Sequence, residues 1–439
     1  MKHPLKLVCA ALFAALATLP AQAKDTVIHA GTLIDGLSPT PRRQVSILIH
    51  DDKIVAIEAG FVTPAGANTE VIDLSTQTVM PGFIDCHVHI SAKLPSRTNA
   101  TEDWLTHTNI DRALDAAVFT RQMLQQGFTS ARDVGGSDET VSVRDAINAG
   151  KIPGPRLWVA LEPLGPTGGH GDSHSGLDPD LSHPGWDNGL VDTPEQGRLR
   201  VREHMRRGAD LIKMMPSGGI ASTGDDPHRQ LMTNEEMSAV VTTAHALGLK
   251  VAAHIYPDQA IANAVKAGVD SVEHGSFASA QTFALMKEHG TYLVPTLTVY
   301  DVFYAAARDH PELLPPGTAQ KELANDLLPK KNLPLAISSG VKIAYGTDLG
   351  EGDHAMEFAL LTANGMSPMQ ALFTATRNAA DLIGASDRIG SVQAGRYADI
   401  VAVAGDPLKN TQLFGQVGFV MKGGVVYRLG GKATVIGAD

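Results

Sequence analysis

Two histidines stand close together in the stretch 80–90, which reads Met-Pro-Gly-Phe-Ile-Asp-Cys-His-Val-His-Ile. Pro81 and Gly82 interrupt the chain, and the apolar residues after them have the length and composition of a short strand. Because strand side chains alternate between faces, His87 and His89 point the same way. Two imidazoles on one face at a strand end can hold a metal ion, although two hydrogen-bonded loop histidines are the simpler alternative.

Four further residues with metal-binding or acid–base chemistry stand at the ends of apolar segments. With the two histidines they form the strand-end set: His87, His89, Lys213, His254, His274 and Asp348. Taken singly, a histidine can be a core residue and an aspartate a helix cap. Lys213 differs, because an unpaired lysine in an apolar strand is costly to bury and tends to lose its proton. A neutral amine can add carbon dioxide, and the carbamate can bridge two cations. The whole set therefore predicts a metal site.

The segments that carry this set alternate between strand and helix patterns. Eight strands with helices between them are the signature of an α/β fold with a parallel (β/α)8 TIM barrel. In such a barrel the chemistry lies at the C-terminal ends of the strands, where the strand-end set would meet. The candidate strands are 80–89, 129–135, 156–164, 209–215, 250–256, 271–275, 291–297 and 342–349.

Two other segments of this middle region carry specific expectations. In the helical pattern from Trp104 to Gln126, the apolar residues fall roughly on one face, as in a helix that buries that face. The glycine- and histidine-rich stretch 165–189 is predicted to be a loop over the barrel mouth. The apolar residues of the helical pattern are Leu105, Ile110, Leu114, Ala117, Val118 and Leu124.

The two ends of the chain differ from this alternating middle. Residues 24–80 read as short strands, and residues 386–439 contain an apolar strand at 399–403 and a hairpin at 418–428. Since neither end alone has much core, both are predicted to build one small β-sandwich domain. Residues 81–385 would then form the catalytic barrel.

Residues 1–23 have the three-part layout of a bacterial secretory signal peptide, with a basic start, an apolar stretch and Ala-Gln-Ala at the end. We therefore expect an exported protein, either periplasmic or secreted.

Without Lys2 and Lys6 the formal net charge of −11 becomes −13. No basic run offsets it, so neither nucleic acid nor an anionic membrane is expected as a partner. Cys86 is then the single cysteine, which excludes an intrachain disulfide.

The chain resembles the amidohydrolase superfamily over essentially all of residues 24–439. The resemblance rests on Pro-Gly-Phe-Ile-Asp-Cys-His-Val-His at 81–89, on the strand-end set and on Gly-Thr-Asp at 346–348. Further motifs resemble the prolidase-like branch, which includes dipeptidases, carboxypeptidases and ochratoxin A hydrolases that release phenylalanine. These motifs are Thr-Gly-Gly-His-Gly-Asp at 167–172, Ser-Gly-Gly at 217–219, His-Ile-Tyr at 254–256 and Tyr-Leu-Val-Pro-Thr at 292–296.

The resemblance implies two zinc ions, or other divalent metals, bridged by carbamylated Lys213. One ion would also bind His87, His89 and Asp348, and the other His254 and His274. A hydroxide activated by both metals would attack the amide, with Asp348 as general base and then general acid. His170 and Tyr256 would hold the oxyanion or a substrate carboxylate. The implied substrate is a small amide or dipeptide, and the implied assembly is a ring-like homo-oligomer such as an octamer.

Two other functions stay open at this point. A cyclic amide hydrolase of the dihydroorotase or hydantoinase type shares the metal set, but the loops 167–172 and 217–219 argue against it. A non-catalytic periplasmic binding protein would be favoured by the loss of Lys213 or Asp348, and both are present. Metal analysis separates the two classes, because the enzyme should bind about two metals per chain.

Overall fold

The structure, a computed structural model, describes residues 24–434 except 65, 67, 68, 184 and 326. The predicted signal peptide, residues 1–23, lies outside the described residues. In the part of the chain that is described, no helix is both long enough and apolar enough to cross a membrane.

Fifteen strands lie within the described residues, and those in the middle of the chain are separated by helices. The strands are β1 (Asp25–Leu33), β2 (Arg42–His50), β3 (Lys53–Ala59), β4 (Glu70–Pro81), β5 (Phe83–Val88), β6 (Phe128–Asp133), β7 (Arg156–Val159), β8 (Leu211–Met214), β9 (Lys250–Ile255), β10 (Ser271–His274), β11 (Tyr292–Val294), β12 (Ile400–Ala404), β13 (Val417–Lys422), β14 (Val425–Leu429) and β15 (Lys432–Ala433).

Three of the helices begin with a capping box, in which the N-cap hydroxyl and the side chain of the third helical residue bond each other's backbone N–H. The N-cap residues are Thr108, Thr233 and Ser367. The thirteen α-helices of the described residues are α1 (Ala100–Thr106), α2 (Asn109–Gln125), α3 (Asp138–Asn148), α4 (Pro194–Arg207), α5 (Asn234–Ala246), α6 (Asp258–Ala267), α7 (Ala280–His289), α8 (Leu297–Asp309), α9 (Thr318–Asn325), α10 (Leu327–Ser339), α11 (Met356–Ala363), α12 (Pro368–Phe373) and α13 (Ala379–Leu382).

Strands from both ends of the chain form one eight-stranded sheet, in the order β15-β14-β13-β12-β4-β1-β2-β3. The two ends meet where β12 pairs antiparallel with β4, with Val401 opposite Met80. The sequence predicts one β domain from both ends here, and the hydrogen bonds join the strands of both ends in a continuous sheet, because β4 pairs with β1 on one side and with β12 on the other. The predicted β-sandwich shape stays a prediction. One hydrophobic cluster includes Ile28 and Ile47 from the first end and Phe419 from the second.

The middle of the chain forms two parallel sheets with helices between successive strands. One sheet has the order β5-β6-β7 and the other β8 to β11 in chain order. Every strand pair in them is parallel. Since parallel neighbours need a crossover connection, the intervening helices are the expected partners of this arrangement. The predicted α/β class is therefore confirmed.

Isolated bridges link the two parallel sheets at both of their ends. Leu164 pairs with Met214 on one side, while Ile343 pairs with Leu293 and Leu349 with Val88 on the other. The eighth predicted strand, 342–349, is not a regular strand, because it pairs only near its two ends. Its extended backbone is broken by Asp348, whose φ is 63°.

Helix α2 buries a face other than the one the sequence indicates. Its buried residues are Ala116, Phe119, Thr120, Met123 and Leu124. Ile110, Leu114 and Val118, which the periodicity assigns to the buried face, are 74%, 64% and 51% exposed. The predicted helical pattern from Trp104 to Gln126 is divided between α1 and α2 by His107 and Thr108, and Leu124 alone of the predicted face is buried. The orientation is otherwise wrong, because both faces of α2 carry apolar residues and periodicity does not identify the neighbour.

Candidate active site

The strand-end set lines one cavity of about 560 Å³. His87 belongs to β5, Lys213 to β8, His254 to β9 and His274 to β10, and all four lie at or next to the last residue of their strand. Because parallel strands end on the same side of a sheet, residues far apart in the chain converge there. The predicted loop over the mouth also lines this cavity, through residues 170–173 among others.

His87, His89 and Asp348 form the tightest group in the cavity. One ligand atom from each lies within 4.8 Å of the other two. Asp348 Oδ1 is 3.0 Å from His89 Nε2 and 3.3 Å from His87 Nε2. Lys213 Nζ is 3.5 Å from His87 Nε2. Three of the predicted ligands thus surround one point with Lys213 beside them, and their imidazole and carboxylate groups suit a divalent cation.

Glu273 lies behind His87 and is absent from the predicted site residues. Its carboxylate is 2.7 Å from His87 Nδ1 and 2.8 Å from an Arg132 nitrogen. Although burial by itself raises the pKa of Glu273, Arg132 and His87 hold it below its usual range. The ionised carboxylate accepts the Nδ1 proton of His87, which orients the ring with Nε2 toward the cavity.

Asp85, the aspartate of the first motif, holds the turn that carries Asp348. Its carboxylate accepts hydrogen bonds from the Thr347 hydroxyl at 2.7 Å, the Thr347 backbone N–H at 3.1 Å and His354 Nδ1 at 3.0 Å. Asp85, Thr347 and His354 are all buried. The motif therefore supplies a support for Asp348 as well as two candidate ligands.

His274, Asp348 and Thr296, all at this end of the strands, have left-handed backbones, which residues other than glycine rarely adopt. The φ angle is 67° at His274, 63° at Asp348 and 49° at Thr296. Such conformations cost about 1–3 kcal/mol each and persist only where surrounding contacts impose them. The Asp348 N–H donates to the His87 carbonyl at 2.7 Å, and His274 Nδ1 lies 2.7 Å from the Thr296 hydroxyl.

His254 and His274 form the opposite side of the cavity. Their ring centroids are 4.6 Å apart, and His274 Nε2 lies 4.0 Å from Asp348 Oδ2. Burial, and then the neighbouring His170, lowers the pKa of His254 well below its ordinary value, so its ring is neutral. Nε2 of His254 is buried and has no hydrogen-bond partner among the described residues. Because an unpaired buried nitrogen is costly, this donor set fits a cation that takes its lone pair.

Lys213 is buried beside His87, and its charge also acts on His254 and His274 on the other side. Burial lowers the pKa of its amine to about 8. At pH 7 roughly a tenth of such amines are neutral, against less than a thousandth for an ordinary lysine. The neutral amine is the form that adds carbon dioxide, so the environment suits a carbamate at this position.

His170 stacks on His254, with ring centroids 4.2 Å apart and planes 22° from parallel. Its Nδ1 lies 2.7 Å from the Ser222 hydroxyl, which donates to Asp225 at 2.6 Å. Since the single hydroxyl proton goes to the carboxylate, His170 Nδ1 must donate to Ser222. Burial lowers the pKa of His170 to about 4, which leaves Nε2 unprotonated at neutral pH.

Asp225 and Gly219 fix His170 from behind, and neither is predicted from the sequence as a site residue. Lys321 of α9 donates to Asp225 at 2.7 Å and to the Gly219 and Ser222 carbonyls at 2.9 and 2.8 Å. A Cβ at Gly219 would lie 2.0 Å from His170 Nδ1. The Ser-Gly-Gly motif therefore provides the space that the imidazole occupies.

Tyr256 lies on the same side and stacks on His274, with centroids 5.3 Å apart. Its hydroxyl is hydrogen-bonded to Tyr300, whose hydroxyl is 2.7 Å from Ser276 Oγ. Burial raises the pKa of both tyrosines, so their hydroxyls stay protonated at neutral pH. Tyr256 is therefore a neutral hydrogen-bond donor that lines the cavity.

The amidohydrolase family model matches residues 78–432, which include the whole strand-end set. The chain belongs to the amidohydrolase family. As such it is a hydrolase that acts on amide bonds, in a family that is generally dependent on divalent metals.

Two relatives show how far this amidohydrolase resembles known proteins. It is 34% identical over 439 residues to ochratoxinase from Aspergillus niger, with 93% of this chain and 87% of that protein covered. The crystal structure of A. niger ochratoxinase matches with a TM-score of 0.82 at 31% identity, over 93% of this chain and 96% of that one. A Xaa-Pro dipeptidase with bound methionine in its active site matches with a TM-score of 0.88 at 34% identity, over 92% of this chain and 100% of that one. These relatives imply an α/β barrel with an additional sheet domain.

The outer part of the amidohydrolase cavity is walled by aromatic residues and helix α2. Arg112 of α2 stacks over the Trp104 ring at 3.9 Å, and Trp186 lies 6.5 Å from Trp104 between ring centroids. All three side chains line the cavity. One side of α2 therefore contributes to the substrate entrance.

Proposed function

We propose that this chain is a binuclear-metal amidohydrolase that cleaves the amide bond of a dipeptide or an N-acyl amino acid, as a carboxypeptidase does. The observation that carries the proposal is the convergence of the strand-end set in one cavity, where the buried Lys213 lies beside the ligand group of His87, His89 and Asp348. The similarity to ochratoxinase and to a Xaa-Pro dipeptidase supports the substrate class. Ochratoxin A, with release of phenylalanine, falls within that class.

The proposed ligands divide between the two sides of the cavity. His87, His89 and Asp348 would hold one cation and His254 and His274 the other. Carbamylated Lys213 would contribute one oxygen to each. Two zinc ions suit this combination of imidazole and carboxylate-type oxygen. When bound, divalent cations supply an activated water and polarise the scissile carbonyl.

Asp348 is the proposed proton carrier. Burial alone raises its pKa, but His87 and His89 hold the pKa of Asp348 well below its ordinary value, so the carboxylate is ionised. It can accept a proton from the attacking water at one carboxylate oxygen. It can then return that proton to the nitrogen of the departing amine, acting as general base and general acid in turn.

Tyr256 and His170 are assigned to substrate binding. Tyr256 keeps its hydroxyl proton and is suited to donate a hydrogen bond to an oxyanion or a substrate carboxylate. His170 in its neutral form has an unprotonated Nε2, which accepts hydrogen bonds. It is therefore suited to a substrate N–H, and it would need a second proton to hold the oxyanion or carboxylate.

The same proposal includes the architecture and location that the sequence predicts. Residues 81–385 would form a closed (β/α)8 barrel, and the bridges at Leu164, Ile343 and Leu349 support closure. Residues 24–80 and 386–439 would form the second domain. Residues 1–23 would direct export and be removed, which N-terminal sequencing of periplasmic protein tests. We also propose that the chain assembles into a homo-oligomer.

A substrate screen with metal analysis tests the proposed reaction. The purified protein, incubated with zinc and bicarbonate, is assayed for released amine on dipeptides, N-acyl amino acids and cyclic amides such as hydantoins. We expect about two metals per chain and turnover of the linear substrates that carry a free carboxylate. Turnover of cyclic amides alone, or a protein that retains no metal, would contradict the proposal.

A further inference from the structure

Helix α2 has an apolar face that the fold leaves uncovered. Ile110, Leu114 and Val118 follow one another at four-residue intervals and are exposed, so they form a stripe along the outer side of the helix. We call these three residues the α2 stripe. The neighbouring α1 exposes Leu105 as well. Contiguous exposed apolar surface of this kind marks an interaction site rather than ordinary surface.

The fold itself does not need the α2 stripe. The opposite side of α2 packs inward through Ala116, Phe119, Met123 and Leu124. Its polar edge reaches the cavity through Arg112. The helix is thus fully docked without the stripe, and the large aliphatic side chains on the outside have no role in its attachment.

Two pairs of residues along α2 are spaced symmetrically about position 116, so they would face each other if two copies of the helix packed antiparallel. Leu114 and Val118 are equally distant from Ala116, and so are Asp111 and Arg121. If two copies of α2 pack antiparallel at the level of Ala116, each Leu114 meets the partner's Val118. Each Asp111 then faces the partner's Arg121. A two-fold interface has this reciprocity, because residue i contacts j while j contacts i.

The charged pair is available for such a contact. Asp111 and Arg121 are both exposed. Asp111 uses Oδ2 for its capping hydrogen bonds with Thr108, at 2.9 Å to the backbone N–H and 2.6 Å to the hydroxyl. Its other carboxylate oxygen can therefore accept from an arginine across the interface.

We propose that the α2 stripe is a two-fold interface between two copies of this chain, with the α2 helices antiparallel and the axis passing midway between Leu114 and Val118. The proposal identifies a surface for the homo-oligomer proposed above and does not rest on the proposed reaction. Because a single pair of helices buries less than a stable interface requires, the proposal includes further contacts from the surface around α2.

The solution mass of charge-substituted variants tests the interface. The metal-loaded chain of residues 24–439 is measured by light scattering and sedimentation as wild type, Leu114→Glu and the control Leu199→Glu. Leu199 is 51% exposed on α4, so the control adds the same charge at another exposed leucine. We expect a wild-type dimer or a larger even-numbered assembly. Leu114→Glu should weaken two-fold association at least a hundredfold, and the control should retain the wild-type mass.

A charge exchange tests the antiparallel register separately. Arg121→Asp places like charges opposite each other and should weaken association about tenfold, whereas Asp111→Arg combined with Arg121→Asp should restore it. Far-ultraviolet circular dichroism verifies that each variant is folded. A monomeric wild type overturns the proposal, and so does an assembly that Leu114→Glu leaves intact. Amidase activity is measured in parallel, so a failure of the proposed reaction is recognised independently.

Discussion

The two sides of the cavity are held in place by different kinds of contact. On the His87 side, buried carboxyl groups do this: Glu273 fixes the His87 ring, and Asp85 fixes the turn before Asp348. On the His254 side, the contacts are ring stacking and neutral hydroxyls, from His170 and Tyr256. Nε2 of His254 has no hydrogen-bond partner among the described residues.

This difference indicates a division of roles. A side whose ligands are oriented by charged partners is organised before any cation arrives, since ionic hydrogen bonds in a buried setting are strong and directional. A side built from stacked rings and hydroxyls can adjust to a substrate. We therefore expect substitutions of the residues that support the His87 side to act on metal binding, and substitutions of those that support the His254 side to act on substrate turnover.

Lys213→Ala should have the largest effect, because the proposed carbamate of Lys213 would serve both sides. We expect loss of both metals and of measurable activity, with partial rescue by short carboxylates that replace the bridge. Metal content and amine release are measured on the same preparation. Lys422→Ala is the control, since burial also lowers the pKa of Lys422 to about 8, far from the cavity. If the Lys213→Ala protein keeps two tightly bound metals and near-normal turnover, Lys213 is not the ligand that bridges them.

Asp348→Asn should separate chemistry from metal binding on the His87 side. An amide cannot accept and return a proton, so kcat should fall by ~10²–10⁴-fold. Most of the metal should remain, since His87, His89 and Lys213 are unchanged. KM should change little, because substrate recognition is assigned to the other side. Two bound metals together with a kcat within about tenfold of wild type would show that another residue moves the proton.

Glu273→Gln should weaken metal binding without removing any ligand. Loss of a charged partner behind a ligating histidine typically costs ~10–100-fold in metal affinity. We expect that loss in titrations of metal-free protein, with near-normal kcat at saturating metal. Arg132 loses its counter-charge, so the melting temperature should fall as well. Thr296→Val, which removes the hydroxyl beside His274, is the counterpart on the other side and should change metal affinity less. If Glu273→Gln and Thr296→Val lose metal affinity equally, the proposed division of roles between the two sides of the cavity is wrong.

Gly219→Ala should have the smallest effect and should act on the other side alone. The new methyl would lie 2.0 Å from His170 Nδ1 and must displace that ring. Since small displacements in an active site can cost up to ~10²-fold, we expect kcat/KM to fall about tenfold with metal content unchanged. Gly415→Ala is the control, because the methyl there meets only an ordinary contact at 3.5 Å. If the Gly219→Ala protein loses metal instead, His170 contributes to metal binding.

The sequence predicts the strand-end set because one kind of chemistry recurs at the ends of apolar segments. It does not predict Glu273, since strand alternation places Glu273 on the face opposite to His274 and thus apparently away from the site. The useful signal is that a charged residue inside the four-residue strand Ser271–His274 needs a partner, and Arg132 inside β6 is that partner.

The errors in the fold have a related origin. The apolar periodicity of α2 predicts a helix but cannot state which neighbour covers each face, so Leu114 is assigned to the core and lies outside. The segment 342–349 has strand-like composition, yet the left-handed backbone at Asp348 limits its pairing. Local pattern predicts elements well, whereas orientation and strand ends depend on contacts with distant residues.

The left-handed backbones at His274, Thr296 and Asp348 also set a limit on engineering this enzyme. Glycine adopts such conformations without strain, so Asp348→Gly should raise the melting temperature of the metal-free protein relative to Asp348→Ala. Relief of this strain by glycine would therefore remove the carboxylate that is assigned to proton transfer. A thermostable variant of this amidohydrolase should be sought through substitutions away from the strand ends, where stability and activity do not compete.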